Sequence, residues 1–226
     1  GIYTFSYRIK NIIGFSDATV TLSVNEGPVA QDDQYEFLYT ADQTLDAAGG
    51  LFADNGSGGD NLAFPAADLT SFGGGDLGGS VTDHVAGSTV AFAGGNLTVH
   101  PDGSWALTGQ PFTPGIYTFD YQIGNVAGTS TATVTLVIQD PPLAQKDSLS
   151  VNINEITSLA VGTLFNDNGY GADHPGTPSA TVASFGGGTL GGDETSYVQG
   201  STQAFAGGNI TVNADGSLTV DNPTME

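Results

Sequence analysis

The chain has 226 residues, 3 Lys+Arg against 24 Asp+Glu (formal net charge -21), 38% hydrophobic and 9% aromatic content, and Cys 0. Such an acidic surface repels nucleic-acid phosphates and anionic lipids, and without cysteine there is no disulfide, thiolate metal site or cysteine nucleophile. The apolar content suffices for folding, yet no apolar run approaches the roughly 20 residues of a membrane-spanning helix, and any export signal is expected to lie outside these residues.

The first element is legible from its alternation. In IYTFSYRI, Tyr3, Phe5, Tyr7 and Ile9 share one face, with Thr4, Ser6 and Arg8 on the other. Period two predicts a half-buried antiparallel strand. Ala18, Val20, Leu22 and Val24 alternate with Thr19, Thr21 and Ser23, predicting a partner strand joined through KNIIGFSD. Beyond the linker GPVAQDDQYEF, short strands are predicted at 35–39, 68–72, 89–92, 97–100 and 104–107, punctuated by Asn, Asp, Gly and Pro. A second hairpin follows. Tyr117, Phe119, Tyr121 and Ile123 share a face, as do Ala132, Val134, Leu136 and Ile138, with GNVAGTS between the two runs. No stretch has a helical period.

Internal repetition organises these elements. LFADNG at 51 returns as LFNDNG at 164, SFGGGDLGG at 71 as SFGGGTLGG at 184, and AFAGGNLTV at 91 as AFAGGNITV at 204, all offset by 113, while the two GIYTF segments are offset by 114. A unit near the roughly 100 residues of a β-sandwich, with seven or eight short strands separated by turns, argues for tandem Greek-key sandwiches, all-β throughout. Their phase is displaced from the chain ends. Residues 1–25 read as the C-terminal hairpin of a sandwich, 26–139 as a complete repeat, and 140–226 as a second repeat without its last hairpin. Asp215 to Glu226 supply 12 residues where Asp102 to Pro114 supply 13 ahead of the second GIYTF. The expectation is that the first hairpin, through Tyr3, Phe5, Tyr7, Ile9, Val20 and Leu22, is donated to a neighbouring copy or continues a preceding one. An open sheet edge and a lone hairpin are each unstable in water.

The order of Pro-Val-Ala-x-Asp-Asp, Leu-Phe followed by Asp-Asn-Gly, an Asp-Gly-Ser turn, a Tyr-x-Phe-x-Tyr-x-Ile strand and an Ala-Thr-Val-Thr-Leu strand resembles the bacterial cadherin-like and immunoglobulin-like tandem repeats of large secreted adhesins. The resemblance spans essentially the whole chain. It implies extracellular, immunoglobulin-like sandwich modules strung in series on a cell surface or fibre, often stiffened by calcium.

Calcium, a hard ion taking six to eight oxygens, is also suggested by acids recurring in both repeats. Each offers a linker acid (Glu26, Asp140), a strand-entry acid (Asp33, Asp147), two loop acids six apart (Asp54 and Asp60; Asp167 and Asp173) and an adjacent amide (Asn55, Asn168). The same Asp-Asn-Gly loops also suit ordinary turn chemistry, and NGSGGDNLA resembles only a single turn of a calcium-binding β-roll, which needs consecutive turns. His84, His100 and His174 fall at unrelated places in the two copies, so a histidine metal or catalytic set is not expected. The glycines at 73–75 and 186–188 lack the helix or lysine of a phosphate loop and suggest a close backbone approach. Trp105, replaced by Leu218 in the second copy, suggests core filling rather than a sugar platform.

These features favour a structural repeat of an extracellular filament or cell-surface stalk, its partners being copies of itself head to tail. The alternative is an adhesive module holding a glycan or host surface. An accessory domain of a secreted enzyme ranks below both, and no catalytic set is expected.

Overall fold

The computed structural model describes residues 1–150, 157–159 and 163–221. The chain divides into two compact units, Gly1–Ile138 and Gln139–Glu226. Residues 222–226, part of the segment expected to lead into a following hairpin, lie outside the described residues.

The first unit begins with β1 (Ile2–Lys10) and β2 (Phe15–Ser23), an antiparallel hairpin forming a sheet of its own. Tyr3 lies opposite Leu22, Phe5 opposite Val20 and Tyr7 opposite Ala18, the register that the alternating apolar faces require. Then come β3 (Asp33–Leu38), β4 (Gln43–Leu45), β5 (Asp68–Gly73), β6 (His84–Val85), β7 (Thr89–Phe92), β8 (Gly95–Val99), β9 (Trp105–Thr108), β10 (Gly115–Asn125) and β11 (Gly128–Gln139). One sheet runs in the order β3-β11-β10-β5-β6 and the other β4-β9-β8-β7.

Both sheets supply side chains to a single buried cluster, the arrangement of a β-sandwich. From the first sheet come Leu69, Phe72, Phe119, Tyr121, Ile123, Val134, Leu136 and Ile138, and from the second Phe92, Leu97, Val99, Trp105 and Leu107. Phe119 is central, its ring edge-on to Phe92 at 5.8 Å and to Phe72 at 6.4 Å. Such aromatic pairs add to the burial of apolar area. β10 therefore occupies the middle of its sheet, with β11 on one side and β5 on the other. Its register against β5 shifts between Gln122 and Ile123, where Thr70 sends its hydroxyl to the Gln122 carbonyl at 3.1 Å.

The strands expected at 35–39, 68–72, 89–92, 97–100 and 104–107 correspond to β3, β5, β7, β8 and β9, shifted by a residue or two. The short β4 and β6 were not legible, since two or three residues carry too little alternation. The expected close approach at the Gly73–Gly75 triplet is present. A Cβ on Gly75 would lie 2.4 Å from the Thr118 carbonyl of β10, and the adjoining Asp76 accepts the Thr118 amide at 2.6 Å.

The second unit contains β12 (Thr157–Leu159), β13 (Ser184–Phe185), β14 (Tyr197–Val198), β15 (Thr202–Phe205), β16 (Gly208–Val212) and β17 (Leu218–Asp221). The order β12-β17-β16-β15 matches β4-β9-β8-β7, and the pair β13-β14 matches β5-β6. Among the described residues no strand lies beside β13 on the side that β10 holds beside β5. The core is correspondingly thin: Val212, Leu218 and Val220 are buried, while Leu164, Val182 and Phe185 are only partly so. Their counterparts Leu51, Leu69 and Phe72 are fully buried.

Candidate functional site

The two hairpins make an internal comparison. β1–β2 and β10–β11 have the same pairing, with Tyr7 opposite Ala18 and Tyr121 opposite Ala132. Phe119, Tyr121 and Ile123 are 0% exposed, whereas Phe5, Tyr7 and Ile9 are 58%, 47% and 62% exposed. Every residue of β1 is exposed, and in β2 only Val20 is half-buried. One apolar pattern is thus core in one place and open surface in the other.

What β10 seats against is a polar cradle within the first unit. The Tyr121 hydroxyl donates to the Asp60 carboxylate, 2.9 and 3.0 Å from its two oxygens, and lies 2.9 Å from the Gln31 carbonyl and 3.3 Å from that of Leu51. Asp60 is held in place by the Gln31 amide at 2.7 Å. A buried phenol needs such acceptors. Burial and the carboxylates of Asp33 and Asp60 hold its ionisation far above the ordinary phenol range. At the hairpin tip, the Asn125 side-chain amide donates to the carbonyls of Glu26 and Pro65 at 2.8 and 2.7 Å, tying β10 to the linker.

In the second unit the same cradle opens onto a groove. Its volume is about 380 Å³, and its walls include Gln145, Leu164, Asp173, Val182 and Ser184. The Gln145 amide donates to Asp173 at 2.5 Å, repeating the Gln31 to Asp60 bond. The glycine turn is repeated too: Gly188 keeps a φ of 55° close to the 52° of Gly75, but a Cβ on Gly188 would meet nothing within 4 Å.

Of the residues considered for calcium, Asp33 and Asp60 lie near Tyr121 with the Asn55 amide bonded to Asp33, while Asp54 turns to its own loop. The Asn55 amide donates to Asp33 at 3.3 Å and to the Tyr35 hydroxyl at 2.8 Å, whereas Asp54 accepts the amides of Gly56 and Gly58. Glu26 meets the Phe64 carbonyl through its own backbone amide. The second repeat copies this division. Asn168 donates to Asp147 at 2.9 Å, Asp167 accepts from Gly169 and Gly171, and Asp140 contacts His174 instead of joining them. Among the described residues no three His, Cys, Asp or Glu side chains gather as a metal-holding group. Asp33 stands apart electrostatically. It is 3% exposed with one carboxylate oxygen lacking a hydrogen bond, and burial, aided by the neighbouring charges of Asp60 and Asp32, pushes its carboxyl up to about 7.

Trp105 is 1% exposed, against Tyr35 at a ring separation of 4.9 Å, so it is core rather than a sugar platform. The pairing of Tyr121 with Asp60 was missed in the sequence. Its signal was present, since Tyr7 repeats Tyr121 and Asp173 repeats Asp60. Comparison with protein-family models and with curated proteins finds no match to this chain.

Proposed function

We propose that this chain is a structural repeat of an extracellular filament or surface stalk, built from immunoglobulin-like Greek-key sandwiches in which a β1–β2 hairpin completes a sandwich like that of the second repeat. The observation that supports this reading is the contrast between Phe5, Tyr7 and Ile9, all exposed, and Phe119, Tyr121 and Ile123, all buried in the same pattern. Adding a hairpin to an open sheet edge supplies ladder hydrogen bonds and covers an apolar core. Donor and acceptor surfaces differ, so the contact is heterologous and propagates head to tail.

The test places a charge in the open face. Phe5→Asp in the full chain leaves the interior of either unit untouched, because Phe5 is exposed, but would bury an unpaired carboxylate on docking. Light scattering and electron microscopy are expected to show head-to-tail polymers of the unmodified chain and none of the variant. Boiling in detergent separates donation between copies, which releases a 22.9 kDa species, from a covalent join, which does not. Polymers of Phe5→Asp equal to those of the unmodified chain would end this reading.

A further inference from the structure

We infer that Tyr7 is the residue that sets register and partner in assembly, its hydroxyl seating on the Asp173 carboxylate and the carbonyls of Gln145 and Leu164 in a second copy of the chain. The inference rests on the complementation reading above and names the contact within it.

Tyr121 shows what such a seat requires: a carboxylate and two backbone carbonyls within 2.9 to 3.3 Å of one phenol. The second repeat holds the corresponding three groups along the wall of its groove, and Asp173 is already fixed by the Gln145 amide. The acceptors are therefore oriented before any phenol arrives. Tyr7 stands in its hairpin as Tyr121 does in β10, opposite an alanine in the same register. A slip of one residue would present Ser6 or Arg8 instead and turn the apolar face outward. A slip of two would place Phe5 or Ile9 over a carboxylate that neither can satisfy, leaving a buried charge without its donor.

Charge favours a second copy as the occupant. Residues 1–25 contain two of the three basic side chains, Arg8 and Lys10, against the single acid Asp17, whereas the second repeat sets only Lys146 against many acids. The one net-positive segment of an acidic chain thus carries the donor face, and opposite fields steer encounter.

Tyr7→Phe removes one hydroxyl from a side chain that is 47% exposed in the chain as it stands, so the fold of the free chain is unchanged. Association between full-length chains, followed by sedimentation equilibrium over a range of concentrations, is expected to weaken roughly tenfold or more, the usual range for a hydrogen bond to a charged group. Asp173→Asn, which keeps the acceptor for Gln145, should weaken it similarly, and the double variant should fall well short of the product of the two effects, as residues in contact do. Tyr7→Phe associating as tightly as the unmodified chain would overturn the inference, while the complementation reading would stand if Phe5→Asp still abolished assembly. Single effects that simply multiply would also overturn it. A hairpin that docks independently of protein concentration would show closure within one chain and exclude the second copy.

Discussion

Asp33 offers a quantitative test of the first unit. Its carboxyl, pushed up to about 7 from an ordinary 3.8 by burial and by Asp60 and Asp32, binds a proton more tightly in the folded chain than in the unfolded one. The contribution to stability is complete below about pH 4, declines as pH rises and is lost above the folded value near 7. At about 1.36 kcal/mol per pH unit, the interval bounds the loss at ~4 kcal/mol. In the opposite direction, Asp83 and Asp102, held low mainly by the hydroxyls of Ser80 and Ser104, lose stability as pH falls below the ordinary carboxylate range. The first unit should therefore be most stable near pH 4 to 5. Urea unfolding followed by fluorescence isolates this unit, because Trp105 is the only tryptophan and lies in its core. Asp33→Asn should flatten most of the decline between about pH 4 and 7, leaving the variant more stable than the unmodified chain at pH 8. An unchanged slope in the variant, or no slope in the unmodified chain, would refute the assignment of a costly buried carboxylate.

Phe72→Ala, deleting a fully buried ring between Phe119 and His84, is expected to destabilise the first unit by about 3–5 kcal/mol, read by Trp105 fluorescence in urea. Gly188→Ala should cost the free chain only the ~1 kcal/mol of placing alanine at positive φ, since its Cβ meets nothing. If a hairpin docks there as β10 docks at Gly75, the same change should weaken association far more, which sedimentation would show. If calcium binds at Asp33 and Asp60, although Glu26 and Asp54 do not join them, the ion would raise the melting temperature at pH 8 and chelator would lower it; superimposed melting curves would remove the ion from the account.

Alternation and repetition alone declare the strands of the two hairpins and the internal repeat. These are local or periodic properties: alternation in Tyr117–Ile123 or Ala132–Ile138 declares a buried face without knowledge of what covers it, and close matches at a fixed offset declare a second copy. The core role of Trp105 and the tight turn at Gly73–Gly75 were legible for similar reasons. Tertiary structure decided which apolar face is covered. Tyr3–Ile9 and Tyr117–Ile123 have nearly the same alternation, yet one is surface and the other core, because burial depends on β5 and the opposing sheet rather than on the strand itself. It also decided the use of the acids. Asp60 and Tyr121 are 61 residues apart, and no local spacing relates them. Only the packing of β10 against the 51–60 loop turns a candidate ion ligand into the acceptor of a buried hydroxyl, which in a low-dielectric interior must find one.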